Sequence, residues 1–404
     1  MKTVSLAKII WLCIAIVLID VAAFYWLQSI TQLIEVTLVR TIINILFWLF
    51  TVGLITSVLV LKVRLDRISP ARRQFLISRF YGLGILSFAP KFIFVIVISI
   101  LYFTNFIFSE NESFIVLPII GLLSGLLPFF VILHGIFNAV YRFKVHHHTI
   151  NSELLPKSFD GLKIVQLSDL HLGSFNYAFN KLDAAIKIIN NLKPDYIVIT
   201  GDLVNNYAWE LRGWDKVFNQ LKAEKGKYAI LGNHDYGDYS QWETPKAKQE
   251  NFYKITDFFI TTGFKLLRNE AEIISKNGDE IAIIGVENWG KPPFKQYGDL
   301  QKAMQNIKAI PFKILLSHDP THWSEEVIDK TDVALTLSGH THGMQAAVQY
   351  KNLQWSPIKY KFKHWAGLYQ HNAQYLYVNR GLGWLGFPAR IGMRPEITLI
   401  ELKS

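Results

Sequence analysis

The chain has 404 residues, half of them hydrophobic and 18% charged, with a formal net charge of +10. The length exceeds one typical domain, and so little charge is unusual for a soluble protein of this size. Residues 1–150 carry 12 Lys and Arg against 5 Asp and Glu, the remainder 30 against 27, which points to membrane topology and argues against a basic groove for long nucleic acids.

Four apolar stretches come first, at residues 9–27, 41–61, 80–103 and 115–137. Each is near the roughly 20 residues that cross a bilayer as a helix. The first ends in Trp, Tyr and Phe and lacks a small-residue cleavage site, so it reads as a span and not as a signal peptide. Its Cys13 is the only cysteine, which excludes an internal disulfide and a thiolate cluster. The loop after the second span holds Lys62, Arg64, Arg67, Arg72, Arg73 and Arg79; the loop after the third holds Glu110 and Glu112 and no basic residue. With Lys2 and Lys8 before the first span and Arg142 and Lys144 after the fourth, the positive-inside rule predicts that both termini and everything after residue 150 are cytoplasmic. Asp20 and Lys91 lie in or beside apolar runs. Placement at the membrane interface is the favoured reading for them, and an Asp20–Lys91 pair the alternative.

Residues 141–156 read as a linker and first strand. Their run His146, His147, His148 sits between Val145 and Ile150, where alternation fits an exposed strand better than a metal site. From residue 157 strands and helices alternate. Residues 177–192 place Leu182, Ala185, Ile186 and Ile189 at helical spacing, and residues 210–222 do the same with Trp214, Val217, Phe218 and Leu221. A further helix is expected over 246–262, and strands over 164–167, 196–200, 228–231, 280–286, 312–316, 333–337, 373–379 and 396–402. This alternation predicts a layered α/β domain.

Five of these apolar runs end in residues of metal-ligand type. They supply Asp169 and His171, then Asp202, then Asn233, then His318, then His340 and His342. Oxygen and imidazole donors at successive strand ends imply one shared site. Glycines precede Asp202, Asn233 and His340, as tight turns beside a site require.

Asp-Leu-His at 169–171, Gly-Asp at 201–202, Gly-Asn-His-Asp at 232–235, His318 and Gly-His-Thr-His at 339–342 resemble the five blocks of the calcineurin-like metallophosphoesterase superfamily, complete and in order. Phe159-Asp160-Gly161 and Asn379-Arg380-Gly381-Leu382-Gly383 resemble its membrane-anchored bacterial members. The resemblance covers residues 157–404, after transmembrane helices over 1–140 and a linker over 141–156. It implies a four-layer α/β/β/α sandwich of two mixed sheets. By the same resemblance Asp169, His171 and His342 would hold one divalent ion, Asn233, His318 and His340 a second, and Asp202 would bridge them. A metal-bridging hydroxide would attack phosphorus, and His234 would serve the leaving oxygen with Asp235 fixing its tautomer. Ligands without sulfur fit Mn, Fe or Zn.

The expected activity is hydrolysis of a phosphodiester or pyrophosphate at the inner membrane. A lipid-linked substrate such as UDP-2,3-diacylglucosamine ranks first, because the domain is tethered at the inner leaflet and the anchored subgroup it resembles includes enzymes that cleave that pyrophosphate. The stretch 355–365 alternates aromatic and basic residues, as a headgroup interface would, or as a strand with one buried aromatic face would. Trp384, Leu385, Phe387 and Pro388 could form a second apolar lip or pack the core. Two alternatives stand: a phosphodiesterase for soluble nucleotides whose helices only anchor it, and a non-enzymatic sensor or scaffold with a vestigial domain.

Overall fold

The computed structural model describes residues 6–64, 68–108, 116–292, 294–350 and 353–404. Lys2, Arg67, Glu110, Glu112 and Ile115, all used above, lie outside the described residues. The chain divides into two compact units.

One unit holds helices α1 (Leu6–Thr31), α2 (Thr37–Arg64), α3 (Pro70–Phe108) and α4 (Val116–Phe137). All four are long and apolar enough to cross a membrane. Trp11, Leu18, Leu49, Phe103 and Leu127 are exposed on them, an apolar surface suited to lipid. Inside, Ala23, Phe94 and Ile98 form a small core with Trp26, Phe47 and Tyr102. The helix α3 starts ten residues before the expected span at 80. Hydropathy marks the apolar part of a helix only, and Arg72, Arg73 and Arg79 occupy its polar first turns. The interfacial reading of Asp20 and Lys91 is corrected. Lys91 Nζ lies 2.7 Å from Asp20 Oδ1, and Thr51 Oγ1 donates to Asp20 Oδ2. Asp20 is buried, and a buried carboxylate among apolar helices is tolerated only with such compensation.

The other unit is the α/β part. In chain order it runs β1 (Lys144–Asn151), β2 (Lys163–Leu167), α5 (Asn180–Asn191), β3 (Tyr196–Thr200), α6 (Asp215–Phe218), β4 (Gly226–Ile230) and α7 (Pro245–Thr261). There follow β5 (Lys265–Leu266), β6 (Glu270–Lys276), β7 (Asp279–Gly285), α8 (Leu300–Ala303), β8 (Phe312–Leu316) and β9 (Leu335–Ser338). The last strands are β10 (Val348–Tyr350), β11 (Leu353–Trp355), β12 (Gly367–His371), β13 (Gln374–Val378) and β14 (Glu396–Lys403). Two sheets result, in the orders β1-β14-β2-β3-β4-β5 and β12-β13-β9-β8-β7-β6, and β10 and β11 form a separate hairpin.

Ile164, Val198 and Ile230 from the first sheet pack with Ile283, Phe312, Ile314 and Leu335 from the second. This makes the two sheets face each other. The opposite face of the first sheet takes Leu182, Ile186 and Ile189 of α5 and Ile255 and Phe259 of α7. The outer face of the second takes Leu300 and Ala303 of α8 with Trp323 and Val327. The result is the expected α/β/β/α layering. Strands β2, β3 and β4 are mutually parallel, as are β7, β8 and β9, so their C-terminal ends gather at one edge of each sheet.

Three local expectations are corrected. Residues 210–222 are not one helix: a 3-10 turn at Ala208–Leu211 is followed by α6, and Gly213 between them has φ +80°. Glu210 explains the break, since its carboxylate accepts the backbone N–H groups of Asn205, Asn206 and Tyr207. The stretch 355–365 is not a strand: β11 ends at Trp355, Ser356 caps a 3-10 turn at Pro357–Tyr360, and Phe362 and Trp365 are buried. Trp384 is no lip, being buried against Phe175 and Tyr141. The histidine run falls on β1, an edge strand paired in parallel with β14.

Candidate metal centre

The loops after β2, β3, β4, β8 and β9 bring the predicted residues to one place. Asp169, His171 and His342 form one group and Asp202, His318 and His340 another; within each, one ligand atom per residue lies within 4.8 Å of the others. Asp202 stands between the groups, its Oδ2 3.2 Å from His318 Nε2 and 3.6 Å from His171 Nε2. Asn233 joins the second group, with Oδ1 2.8 Å from His340 Nδ1. His342 Nε2 is 3.2 Å from Asp169 Oδ1 and 3.0 Å from His171 Nε2.

The backbone bends sharply to achieve this. Asp169, His171, Asp202, His340 and His342 all have positive φ, between 43° and 70°. Non-glycine residues adopt that conformation rarely, at a cost of order 1–3 kcal/mol each, and such positions cluster at functional sites. Glycine is needed where two turns touch. A Cβ on Gly232 would lie 2.2 Å from Asp202 Oδ1, and one on Gly339 1.9 Å from Ser168 Oγ.

Hydrogen bonds fix how each donor points. His318 Nδ1 donates to the Thr200 carbonyl at 2.7 Å, which turns Nε2 toward Asp202. The amide N–H of His340 donates to Asp169 at 3.0 Å, and that of His234 to Asp202 Oδ1 at 2.9 Å. His340 turns Nε2 toward the buried Asp319, 3.7 Å away. Burial opposes charge on Asp169, but the adjacent His342 holds its carboxyl far below the usual range. Burial likewise opposes ionisation of Asp202, and His318 overcomes it. Burial pulls the His318 pKa down, yet Asp202 carries it up to about 10. Burial keeps His171 and His340 neutral, with lone pairs free to donate.

These residues suit divalent cations. The donors are oxygen and nitrogen only, and two imidazole Nε2 atoms face each other at 3.0 Å beside carboxylates. Among the described residues, the buried Nδ1 atoms of His171 and His342 find no partner. Imidazole nitrogens and carboxylates converging in this way suit a cation between them.

The expected role of Asp235 is corrected. Its carboxylate accepts the backbone N–H groups of Asp202, Leu203, Val204 and Gly232 at 2.9–3.2 Å. The ring of His234 is oriented instead by the Asn205 carbonyl, 2.7 Å from Nδ1. Sequence reading also missed Tyr239, whose hydroxyl lies 2.9 Å from Asn233 Nδ2 and whose ring sits 4.7 Å from that of His234. It missed Asp319 as well, although Asp319 follows His318 directly. Nothing in the spacing marks either residue, because both reach the site through tertiary contacts.

The family model described as calcineurin-like phosphoesterase matches residues 162–344. One described as a probable calcineurin-like phosphoesterase transmembrane domain matches residues 6–140. The chain is 36% identical over 265 residues to a Bacillus subtilis protein named uncharacterized metallophosphoesterase YkuE, covering 64% of this chain and 84% of that one. It is 32% identical to a Danio rerio transmembrane protein with metallophosphoesterase domain, over 67% of this chain and 60% of that one, so the match spans under two thirds of the fish protein. An uncharacterized metallophosphoesterase of Aquifex aeolicus is 29% identical over 65% of this chain and 93% of its own length. The chain belongs to the calcineurin-like phosphoesterase family, as a metal-dependent phosphoesterase carrying four membrane-spanning helices.

Proposed function

We propose that the chain hydrolyses a phosphodiester or pyrophosphate bond at a two-metal centre. Asp169, His171 and His342 would hold one cation, Asn233, His318 and His340 the other, and Asp202, standing between the groups, would serve both. The observation that carries this is Asp202 Oδ2 standing within 3.6 Å of an imidazole from each group. When bound, two divalent cations acidify water and draw charge from phosphoryl oxygens. The metals are Mn, Fe or Zn by donor chemistry.

The chain's own residues do the rest. His234 faces His171, ring centroids 5.1 Å apart, and stands outside both ligand groups. Its Nδ1–H donates to the Asn205 carbonyl, which leaves Nε2 to carry a proton to the leaving oxygen. The Tyr239 ring also packs against that of His234, centroids 4.7 Å apart.

The α/β part, residues 157–404 after a linker at 141–156, lies on the cytoplasmic side of the inner membrane in this reading. Lys62, Arg64, Arg72 and Arg73 between the second and third spans, with Arg142 and Lys144 after the fourth, support it. The membrane tether supports a lipid-linked substrate in this reading; nothing in the site singles out UDP-2,3-diacylglucosamine.

The test is full-length protein with Mn, assayed on bis(p-nitrophenyl) phosphate with metal content measured alongside. Asp202→Asn should lose both cations and several orders of magnitude in turnover. His234→Asn should lower turnover by roughly 100-fold or more with metal content unchanged. Equal metal loss in the two variants would remove His234 from its role, and no hydrolysis by wild type would remove the reading altogether.

A further inference from the structure

Between Asp332 and Glu396 the sequence contains no aspartate or glutamate, but four lysines and three arginines. Arg380 and Arg390 are buried, so lysines carry most of the exposed charge, among them Lys359, Lys361 and Lys363. Large apolar side chains stand out among them. Tyr360 is 77% exposed and Val348 60%, with Met344 and Trp355 also exposed.

These residues form one surface. Val348 and Trp355 are directly opposed across the β10–β11 hairpin, so their side chains share a face. The turn His342–Gln345 packs on the turn Pro357–Tyr360, and Ser356 Oγ donates to the Gly343 carbonyl at 3.0 Å. The same surface is tied to the metal centre. Thr341 Oγ1 donates to the Trp365 carbonyl at 2.6 Å, and the Phe362 ring lies 5.4 Å from that of His340. Three consecutive non-glycine positions at positive φ fall here if Gly343 is passed over: His342, Met344 and Gln345. That turn throws Met344 outward while His342 points in.

Aromatic and methionine side chains beside lysines, in a stretch of sequence that holds no acid, match the boundary between lipid headgroups and acyl chains. The apolar parts enter the boundary and the ammonium groups meet phosphates. The chain also carries four helices long and apolar enough to cross a membrane, so a bilayer belongs to its surroundings.

We infer that Met344, Val348, Trp355 and Tyr360, with Lys359 and Lys363, dock onto the anionic headgroups of a bilayer. Docking sets headgroup phosphates at the His340–His342 edge of the metal centre; this second clause rests on the site being a phosphohydrolase.

The test uses the full chain with Cys13→Ser and a spin label at Val348→Cys or, separately, Tyr360→Cys, in nanodiscs. One set holds phosphatidylcholine alone and another includes phosphatidylglycerol. A label at Ile273→Cys, on the exposed strand β6, is the reference. In discs with phosphatidylglycerol, labels at 348 and 360 should gain oxygen accessibility and lose accessibility to a water-soluble nickel chelate, while the reference stays aqueous. Lys359→Gln with Lys363→Gln should reduce the docked population on the order of 30-fold. Labels that stay aqueous in both discs overturn the proposal, including any shielded instead by an added acidic polypeptide or nucleic acid. So does insertion that ignores lipid charge. Hydrolysis of bis(p-nitrophenyl) phosphate in the same discs reads separately. Docked labels without hydrolysis would sink the phosphohydrolase reading and leave the docking surface standing.

Discussion

Replacing Asp235 by asparagine separates two views of the metal centre. If Asp235 oriented His234, Asp235→Asn would change turnover and its pH profile and leave stability alone. The structure gives Asp235 a different task. Oδ1 accepts Leu203 and Val204, and Oδ2 accepts Asp202 and Gly232, all from backbone N–H groups in a fully buried place. An asparagine keeps one oxygen and turns an NH2 toward the other two donors. Each buried donor left without an acceptor costs about 1–3 kcal/mol, so the loss is about 2–6 kcal/mol. For a domain of this size that lowers the melting temperature by roughly 5–20 °C. Turnover should fall as well, because the displaced loop carries Asp202, and the loss should travel with metal content. The assay is thermal unfolding followed by near-ultraviolet circular dichroism, with metal analysis and bis(p-nitrophenyl) phosphate turnover on the same samples. An unchanged melt and metal content, with a shifted pH profile of turnover, would refute this reasoning and restore Asp235 as the partner of His234.

Burial alone would raise the Glu396 pKa, but Arg380 at 2.5 Å and the Tyr377 hydroxyl bring it from 4.5 to about 2. Its stabilisation is therefore complete above about pH 4.5 and lost as pH falls through about 2. Glu396→Gln should flatten the acid limb of the stability curve, and an acid limb unaltered by that change would count against the pair. In the metal-free protein His318 keeps its proton, so loading with Zn at pH 7–8 should release one, read in weak buffer. His318→Gln should abolish that release, and equal release from the variant would place the proton elsewhere. In the membrane unit, Lys91→Met leaves the buried Asp20 without its counter-charge, which costs about 3–5 kcal/mol. Adding Asp20→Asn should restore much of the loss in a detergent melt; additive losses would show the pair is not coupled.

Asp169, His171, Asp202, Asn233, His318, His340 and His342 could be picked from sequence because each follows an apolar run directly. A strand end is a local feature, and parallel strands place such ends at one edge. Apolar length likewise marked the four membrane helices, since crossing a bilayer is a one-dimensional requirement. The helix expected over 210–222 failed for the opposite reason. Its periodic Trp214, Val217, Phe218 and Leu221 are indeed buried, but Glu210 is spent on three backbone N–H groups and Gly213 turns the chain, which periodicity does not register.

The order of elements, the spans and the kinds of metal donor were thus determined by local chemistry written along the chain. Which nitrogen points inward was decided, for three of the histidines, by contacts between distant segments: Thr200 for His318, Asn205 for His234, Asp319 for His340. A hydrogen-bond partner that is remote in sequence leaves no periodic trace. The pairing of Asp20 with Lys91, 71 residues apart, belongs to the same class. Sequence names the groups that must be satisfied, and only the folded chain brings each to the partner that satisfies it.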